Sequence, residues 1–422
     1  MQSEQFLFYR DSKDFELLEN MCALVEGEPN EALFYKVVSQ LYKYAGENGF
    51  EGNLWHCYLT ELLVYNENPY TISCEMRGHV EGTLNQAVLH DFRIFRDMFA
   101  YDIEALEKSI GNTRDMTILT SYKGTGKEAI KYNKHIVAEI NALAVRLAGT
   151  KDVEEFKSYL DEFYGKYGVG VFGLHKAFRV EHDKDVLNIN PIFNIAVTSL
   201  DDLVGYDIPK QKLVDNTEAF LNGKKANNCL IYGESGTGKS SSIRAIINQY
   251  YESGLRMIEV YKHQYKELND LIDRLKVRNY KFIIYMDDLS FEEFETEYKY
   301  LKAVIEGGLE SKPDNVLIYA TSNRRHLVKE TFNDKDGDGG DIHKNETVQE
   351  KLSLFARFGV SIYFGRPEKR EFNRIVTELA KKYNIDMPED ELVLKANAWE
   401  LQHGGLSGRT ARQFVDYLRG QQ

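Results

Sequence analysis

The chain has 422 residues, 43% of them hydrophobic and 28% charged, which is the balance of a soluble globular protein with room for two or three domains. Its formal charge of −13 is uneven: residues 1–200 hold 30 acidic and 20 basic side chains, and the remainder 36 and 33. An acidic first half repels a polyanion, so nucleic acid is disfavoured as a partner, although a local basic patch would still admit it.

No apolar run approaches the roughly 18 residues needed to cross a bilayer, which argues against a membrane protein. The opening "MQSEQFLFYRDSKDFELLEN" lacks a basic segment followed by an apolar one, so it does not read as a secretory signal. Cys22, Cys57, Cys74 and Cys229 form no CxxC pair and have no metal-ligand spacing. Reduced thiols in a cytoplasmic protein are the expectation.

Up to about residue 165 the pattern is helical. "EALFYKVVSQLYKYA", "DIEALEKSI" and "HIVAEINALAVRLAG" place apolar side chains three and four apart, and the recurring Tyr and Phe residues are expected in the core. A polar "GTGK" at Gly124–Lys127 reads as a loop before a helix. Ser121 stands where a phosphate loop needs its first glycine, Glu128 would repel an anion, and no buried strand precedes it. A Gly-punctuated stretch, "GKYGVGVFGLHKAFRV", then leads to a boundary near residue 195.

Beyond it, short apolar runs ("NCLIYG", "RMIEVY", "KFIIYMDD", "NVLIYATSN", "VSIYF") alternate with helical stretches, the signature of a parallel sheet flanked by helices. From Arg366 three helices return. The division is therefore 1–195, mainly helical and of unknown role; 196–365, an α/β core; and 366–422, a small helical subdomain.

The second "GTGK" lies in "CLIYGESGTGKSSSIRAII". A strand ends at Tyr232, and Gly233, Glu234, Ser235, Gly236, Thr237 and Gly238 form the loop. Lys239, Ser240 and Ser241 open a helix. Glycines let the backbone turn sharply toward an anion, loop and helix N–H groups hold it, Lys supplies charge, and Ser meets Mg2+. This is a phosphate-binding loop in its required strand–helix setting, and ATP with Mg2+ is the expected ligand.

Such a loop needs carboxylates on a neighbouring strand. "KFIIYMDDLSFEE" supplies Asp287, suited to the metal, and Asp288, suited to polarising water, with the division of labour between them open and Glu292 or Glu293 as further contributors. Asn323 ends the next strand, where an amide can align the attacking water or serve as a turn residue. Arg357 and Arg409 are candidate cations for charge developing on the γ-phosphate, or surface residues.

In that order these motifs resemble an AAA+ ATPase module, from about Leu200 to the C-terminus. The strings "NTEAFLNG", "GTGKSS", "DDLSFEE", "ATSNRRHL", "EKLSL" and "ARFG" look like an uncharacterised family of bacterial stand-alone AAA+ ATP-binding proteins. The resemblance covers about half the chain and implies adenine against the backbone near Val204 and Gly205. It also implies Asn323 as sensor 1, Arg357 as an arginine finger reaching a neighbouring subunit of a homo-oligomer, and Arg409 as sensor 2 acting in cis from a lid. The chain departs from the commoner pattern at Asp288, where most members carry Glu, and at Ala356, where an acid is more usual. Paired aspartates also occur in helicase-loader-type members.

The expected function is ATP hydrolysis coupled to conformational change in an oligomer acting on an unidentified protein client. The alternatives are a nucleotide-controlled switch or loader on nucleic acid, with slow turnover, and a small-molecule kinase, against which Asn323 and the Arg409 lid argue. "DKDGDGGDIHKNE" begins like a calcium loop, with Asp334, Asp336, Asp338 and Gly339, but Asp341 and Asn345 occupy its eighth and twelfth positions and Glu346 falls one late, so calcium is not expected there.

Overall fold

A computed structural model describes residues 2–10, 15–78, 81–109, 119–124, 131–183, 186–291, 297–306, 313–323 and 354–421. Its backbone forms two compact units, one of Met1–His175 with Pro191–Asn194 and one of Lys176–Asn190 with Ile195–Gln422.

The first unit is helical: α1 (Phe15–Glu26), α2 (Glu31–Asn48), α3 (Leu54–Tyr65), α4 (Pro69–Arg77), α5 (Thr83–Phe99), α6 (Ile103–Ser109), α7 (Lys134–Ala148), α8 (Val153–Tyr167) and α9 (Gly170–Leu174). Side chains that compete with the backbone for hydrogen bonds start several of these helices. Asn30, Asn53, Asn68, Asn133 and Asp152 each accept from an N–H of the first turn, where no intrahelical partner exists. Helix α3, "LWHCYLTELLVY", is apolar almost all round and accordingly sits inside the unit, with Trp55, Tyr58, Leu59 and Leu63 fully buried. Trp55 closes its one polar atom by donating to the Met98 carbonyl at 2.8 Å. The aromatics expected in the core are there: Phe34, Phe92, Phe95, Phe156 and Tyr164.

One carboxylate fastens the N-terminal segment to this unit. Asp91, buried on α5, accepts from the N–H groups of Leu7 at 2.9 Å, Phe8 at 2.8 Å and Tyr9 at 3.3 Å.

The second unit is built on a seven-stranded sheet. Its strands are β1 (Ala177–Asp183), β2 (Val186–Pro191), β3 (Cys229–Gly233), β4 (Leu255–Glu259), β5 (Lys281–Met286), β6 (Val316–Ser322) and β7 (Val360–Phe364), in the order β2-β1-β4-β5-β6-β3-β7. The β1–β4, β4–β5, β5–β6, β6–β3 and β3–β7 pairs are all parallel. The five apolar runs picked out in the sequence are β3 to β7. Strands β1 and β2 were not expected: "AFRVEHD" and "VLNINP" sit where the sequence suggested a linker, and they carry Lys176–Asn190 into the second unit rather than the first.

The α-helices of this unit among the described residues are α10 (Asp207–Leu221), α11 (Lys239–Tyr250), α12 (Leu268–Leu275), α13 (Glu297–Glu306), α14 (Lys369–Lys382), α15 (Glu389–Gln402) and α16 (Gly408–Arg419). The last three pack on one another around Phe372, Val376, Ala396, Ala411 and Val415. This is the α/β P-loop core with a helical lid that the AAA+ resemblance implied. In such a sheet, ligands bind outside the carboxyl ends of the strands, where the strand order reverses. Here the reversal falls beside β3, whose neighbours β6 and β7 both follow it in sequence. Among the described residues, no helix is long and apolar enough to cross a membrane.

Replacing Asp91 with Ala leaves the N–H groups of Leu7, Phe8 and Tyr9 without their acceptor. The expected cost is about 1–3 kcal/mol, with faster hydrogen exchange at those three amides while α3 stays protected. Unchanged exchange at residues 7–9 would show that the carboxylate does not hold the segment.

Candidate functional site

Strand β3 is buried along most of its length, and the chain leaves it through Gly233 at φ 139°. A Cβ built there would lie 2.0 Å from the Phe364 carbonyl oxygen of β7, so only glycine lets the two strands end side by side. The loop continues through Gly236 at φ 76° to Gly238 at φ 98°, the residue that starts α11. Thr237 Oγ1 braces the loop by donating to the Glu234 carbonyl at 2.8 Å. Among the described residues no side chain caps the start of α11, so its first N–H groups and its dipole face the loop.

Lys239 is only 6% exposed, and its ammonium donates to the carbonyls of Gly233 at 2.9 Å and Glu234 at 2.7 Å and to Asn323 Oδ1 at 3.0 Å. Burial holds its pKa below the ordinary lysine value, against the raising influence of Asp288, Glu234 and Asp287. The Asn323 amide also donates to Asp288 Oδ1 at 2.7 Å, so one side chain touches both the cation and an acid.

The two adjacent acids occupy different surroundings. Asp287 Oδ1 accepts from Thr321 Oγ1 at 2.6 Å, the Tyr285 hydroxyl at 2.7 Å and Ser240 Oγ at 2.9 Å. Burial alone would raise its pKa, but those three hydrogen bonds, with Arg244 nearby, hold the carboxyl below its ordinary value. Both residues are exposed, but Asp288 lies at φ 50°, a left-handed conformation that Asp tolerates better than most residues. Its N–H donates to Thr321 Oγ1 at 3.0 Å.

These groups face a cleft of about 540 Å³. Ser235 to Ser241, Asp287, Asp288 and Asn323 line it together with Val204, Ile375, Arg409 and Arg412. Val204 packs on the cluster formed by the last three helices. The lid also touches the loop directly, since the Arg409 N–H donates to the Gly236 carbonyl at 3.0 Å. Gly205 is buried beside Glu371 and does not line the cleft; nor do Gly233 and Glu234, which supply the carbonyls that hold Lys239.

Arg357 lies elsewhere. It does not line the cleft, and its guanidinium pairs with Glu306, the last residue of α13. At the first "GTGK", Gly124 N–H meets Glu51 Oε1 at 3.3 Å, whereas Gly126, Lys127 and Glu128 fall outside the described residues. So do Glu292, Glu293 and the calcium-like stretch from Asp334 to Glu346. The sequence reading missed Tyr285, Thr321, Arg244 and Arg412. The first two are hidden inside apolar strand strings, and only their spacing of two residues from Asp287 and Asn323 signals the shared face.

The donor set fits a nucleotide phosphate with a divalent cation. A buried ammonium, an uncapped helix start and left-handed glycines suit the anion, and an ionised carboxylate beside a serine hydroxyl suits the cation.

Gly233→Ala drives a methyl group into the β7 backbone and is expected to cost about 2–5 kcal/mol. Thermal unfolding should show the loss, and nucleotide binding should fall with it. A variant of unchanged stability would mean that the β3–β7 contact yields easily.

A family model described as "Protein of unknown function (DUF815)" matches residues 173–422. No curated protein matches the chain. Among solved structures, the chain is similar to two mutants of Thermotoga maritima RuvB. One is 14% identical with a TM-score of 0.37, covering 54% of this chain and 66% of that one, and the other is 16% identical with a TM-score of 0.37, covering 53% and 65%. The similar chain described as the Thermotoga maritima RuvB Holliday junction branch migration motor is 12% identical with a TM-score of 0.32, covering 53% and 72%. The aligned region thus spans about two thirds of the first of these RuvB chains. The family model covers well over half of the present sequence, including every residue around the cleft, and the chain belongs to the DUF815 family.

Proposed function

We propose that this protein is a Mg2+-dependent AAA+ ATPase whose homo-oligomer couples hydrolysis to conformational change on an unidentified protein client. The observation that carries the reading is the convergence of Lys239, Ser240, Asp287, Asp288, Asn323 and Arg409 on one cleft at the carboxyl ends of β3, β5 and β6.

In this reading the loop N–H groups and Lys239 bind the β- and γ-phosphates, and Ser240 and Asp287 hold Mg2+. The metal, when bound, would supply positive charge against phosphate oxygens. Asp288 accepts the proton of the attacking water, and Asn323, already bonded to Asp288, keeps that water in line. Val204 and Gly205 meet the adenine. Arg409 acts from the lid, whose contact with the Gly236 carbonyl ties lid position to loop geometry.

Arg357 acts in the neighbouring subunit. In its own chain it is paired with Glu306 and stands away from the cleft, which fits a finger that completes a second protomer's site. The helical first unit recognises the client. Cys22, Cys57, Cys74 and Cys229 are buried and in no disulfide, which accords with the reducing cytoplasm.

A second reading, a nucleotide-controlled switch or helicase-loader-like protein with slow turnover, draws on Asp288. Its carboxylate is shorter than the commoner Glu and already engages the Asn323 amide, which leaves less reach toward a water.

Lys239→Ala should abolish tight ATP binding in equilibrium titration; retained affinity would refute the site. ATPase activity per subunit should rise with protein concentration and then level off, and Arg357→Ala should remove that rise. Activity independent of concentration, in a protein shown to be monomeric by mass, would rule out the shared site. Tight ATP binding without turnover at any concentration would favour the switch.

A further inference from the structure

Asp287 is held by more than the serine beside it. Tyr285 lies two residues earlier on the same face of β5, and its hydroxyl reaches forward to Asp287 Oδ1 at 2.7 Å. Thr321 comes from the adjacent strand. The register pairs Met286 with Ala320 and Ile231 with Thr321, so Thr321 stands between β3 and the end of β5, level with the acid pair. Its hydroxyl donates to Asp287 Oδ1 at 2.6 Å and accepts from the Asp288 N–H at 3.0 Å, while its carbonyl accepts from the Leu289 N–H at 2.6 Å. Tyr285 and Thr321 are 5% and 1% exposed, so neither hydroxyl is there to meet solvent.

All three donors that Asp287 receives among the described residues reach the same oxygen, Oδ1. An aspartate with one oxygen so bound has little rotational freedom left, and its other oxygen becomes the one that can meet a cation. Groups that orient a metal-binding carboxylate without touching the metal govern affinity through pre-organisation.

We propose that Tyr285 and Thr321 are positioning residues for Mg2+: through Oδ1 they fix Asp287 so that Oδ2 is presented to the cation, and Thr321 also anchors the backbone of Asp288 in its left-handed conformation. This rests on the reading of Asp287 as the metal-side carboxylate. Tyr285 is the more distinctive of the two. A phenol in a strand whose other residues after Lys281 are apolar and buried needs a partner for its hydroxyl, and the chain gives it the one carboxylate that the metal also needs.

The test separates nucleotide affinity from metal dependence. A fluorescent ATP analogue is titrated against the full-length protein in EDTA, and then at fixed analogue concentration with increasing Mg2+. Tyr285→Phe and Thr321→Val each remove one hydroxyl at nearly constant volume, and Thr321→Ser restores it. The expected result is unchanged affinity in EDTA for both hydroxyl-less variants, with the half-maximal Mg2+ concentration raised on the order of tenfold, and wild-type behaviour in Thr321→Ser. A merely structural role would lower affinity in EDTA as well and would not shift the Mg2+ midpoint, and that outcome overturns the proposal. Two variants at separate positions guard against one failing to fold. Should the wild type bind the analogue without any response to Mg2+, the metal role of Asp287 falls and this inference with it. Normal Mg2+ dependence in the wild type with no shift in either variant overturns the positioning role alone.

Discussion

Burying an ammonium group costs several kcal/mol unless acceptors surround it, and Lys239 is buried where β3 turns into α11. Its three acceptors come from two places: the carbonyls of Gly233 and Glu234 at the end of its own strand, and the Asn323 amide just past β6. That demand accounts for much of the arrangement around it. Strand β6 has to lie beside β3, the loop has to fold back over the lysine, and Gly233 has to pass the β7 backbone where a Cβ would collide. A residue that a phosphate would attract is thereby held in place by main-chain oxygens.

The neighbouring acids show how one dipeptide acquires two characters. Asp287 accepts from three hydroxyl donors that favour its ionised form, whereas Asp288 has a left-handed backbone and meets the Asn323 amide. The link from Lys239 through Asn323 to Asp288 joins the cation to the outer acid, and Thr321 joins that acid to Asp287. Any group entering the cleft therefore meets a connected set of side chains. The lid belongs to the same set, because Gly236 approaches Ser407 and Arg409 so closely that a methyl group there would come within 3.1 Å of both.

The first unit is organised on different terms. Several of its helices start at Asn and Asp caps, its helix α3 is apolar on nearly every face, and some of its buried polar atoms are turned on one another, as where Tyr9 and Tyr164 meet at 3.1 Å. Those contacts explain a stable helical body. Among the described residues they carry no reactive arrangement comparable to the cleft of the second unit.

Much of this was legible along the chain. The caps, the helical spacing of the first unit, the five apolar runs that became β3 to β7, and the loop from Gly233 to Ser241 are local features, set by residues a few positions apart, and local physics suffices for them. Strands β1 and β2 escaped because their apolar content is thin and they join the sheet only through the pairing of β1 with β4, some 80 residues away. Tyr285 and Thr321 escaped because a hydroxyl inside an apolar string looks like β-propensity until the neighbouring strand is known. The sequence by itself determined which residue types could bind phosphate and metal, and that a strand and a helix would frame them. Only the tertiary structure decided strand order, which oxygen of Asp287 is held, and that Arg357 pairs with Glu306 away from the cleft, because each depends on distances between segments that the chain's linear order does not encode.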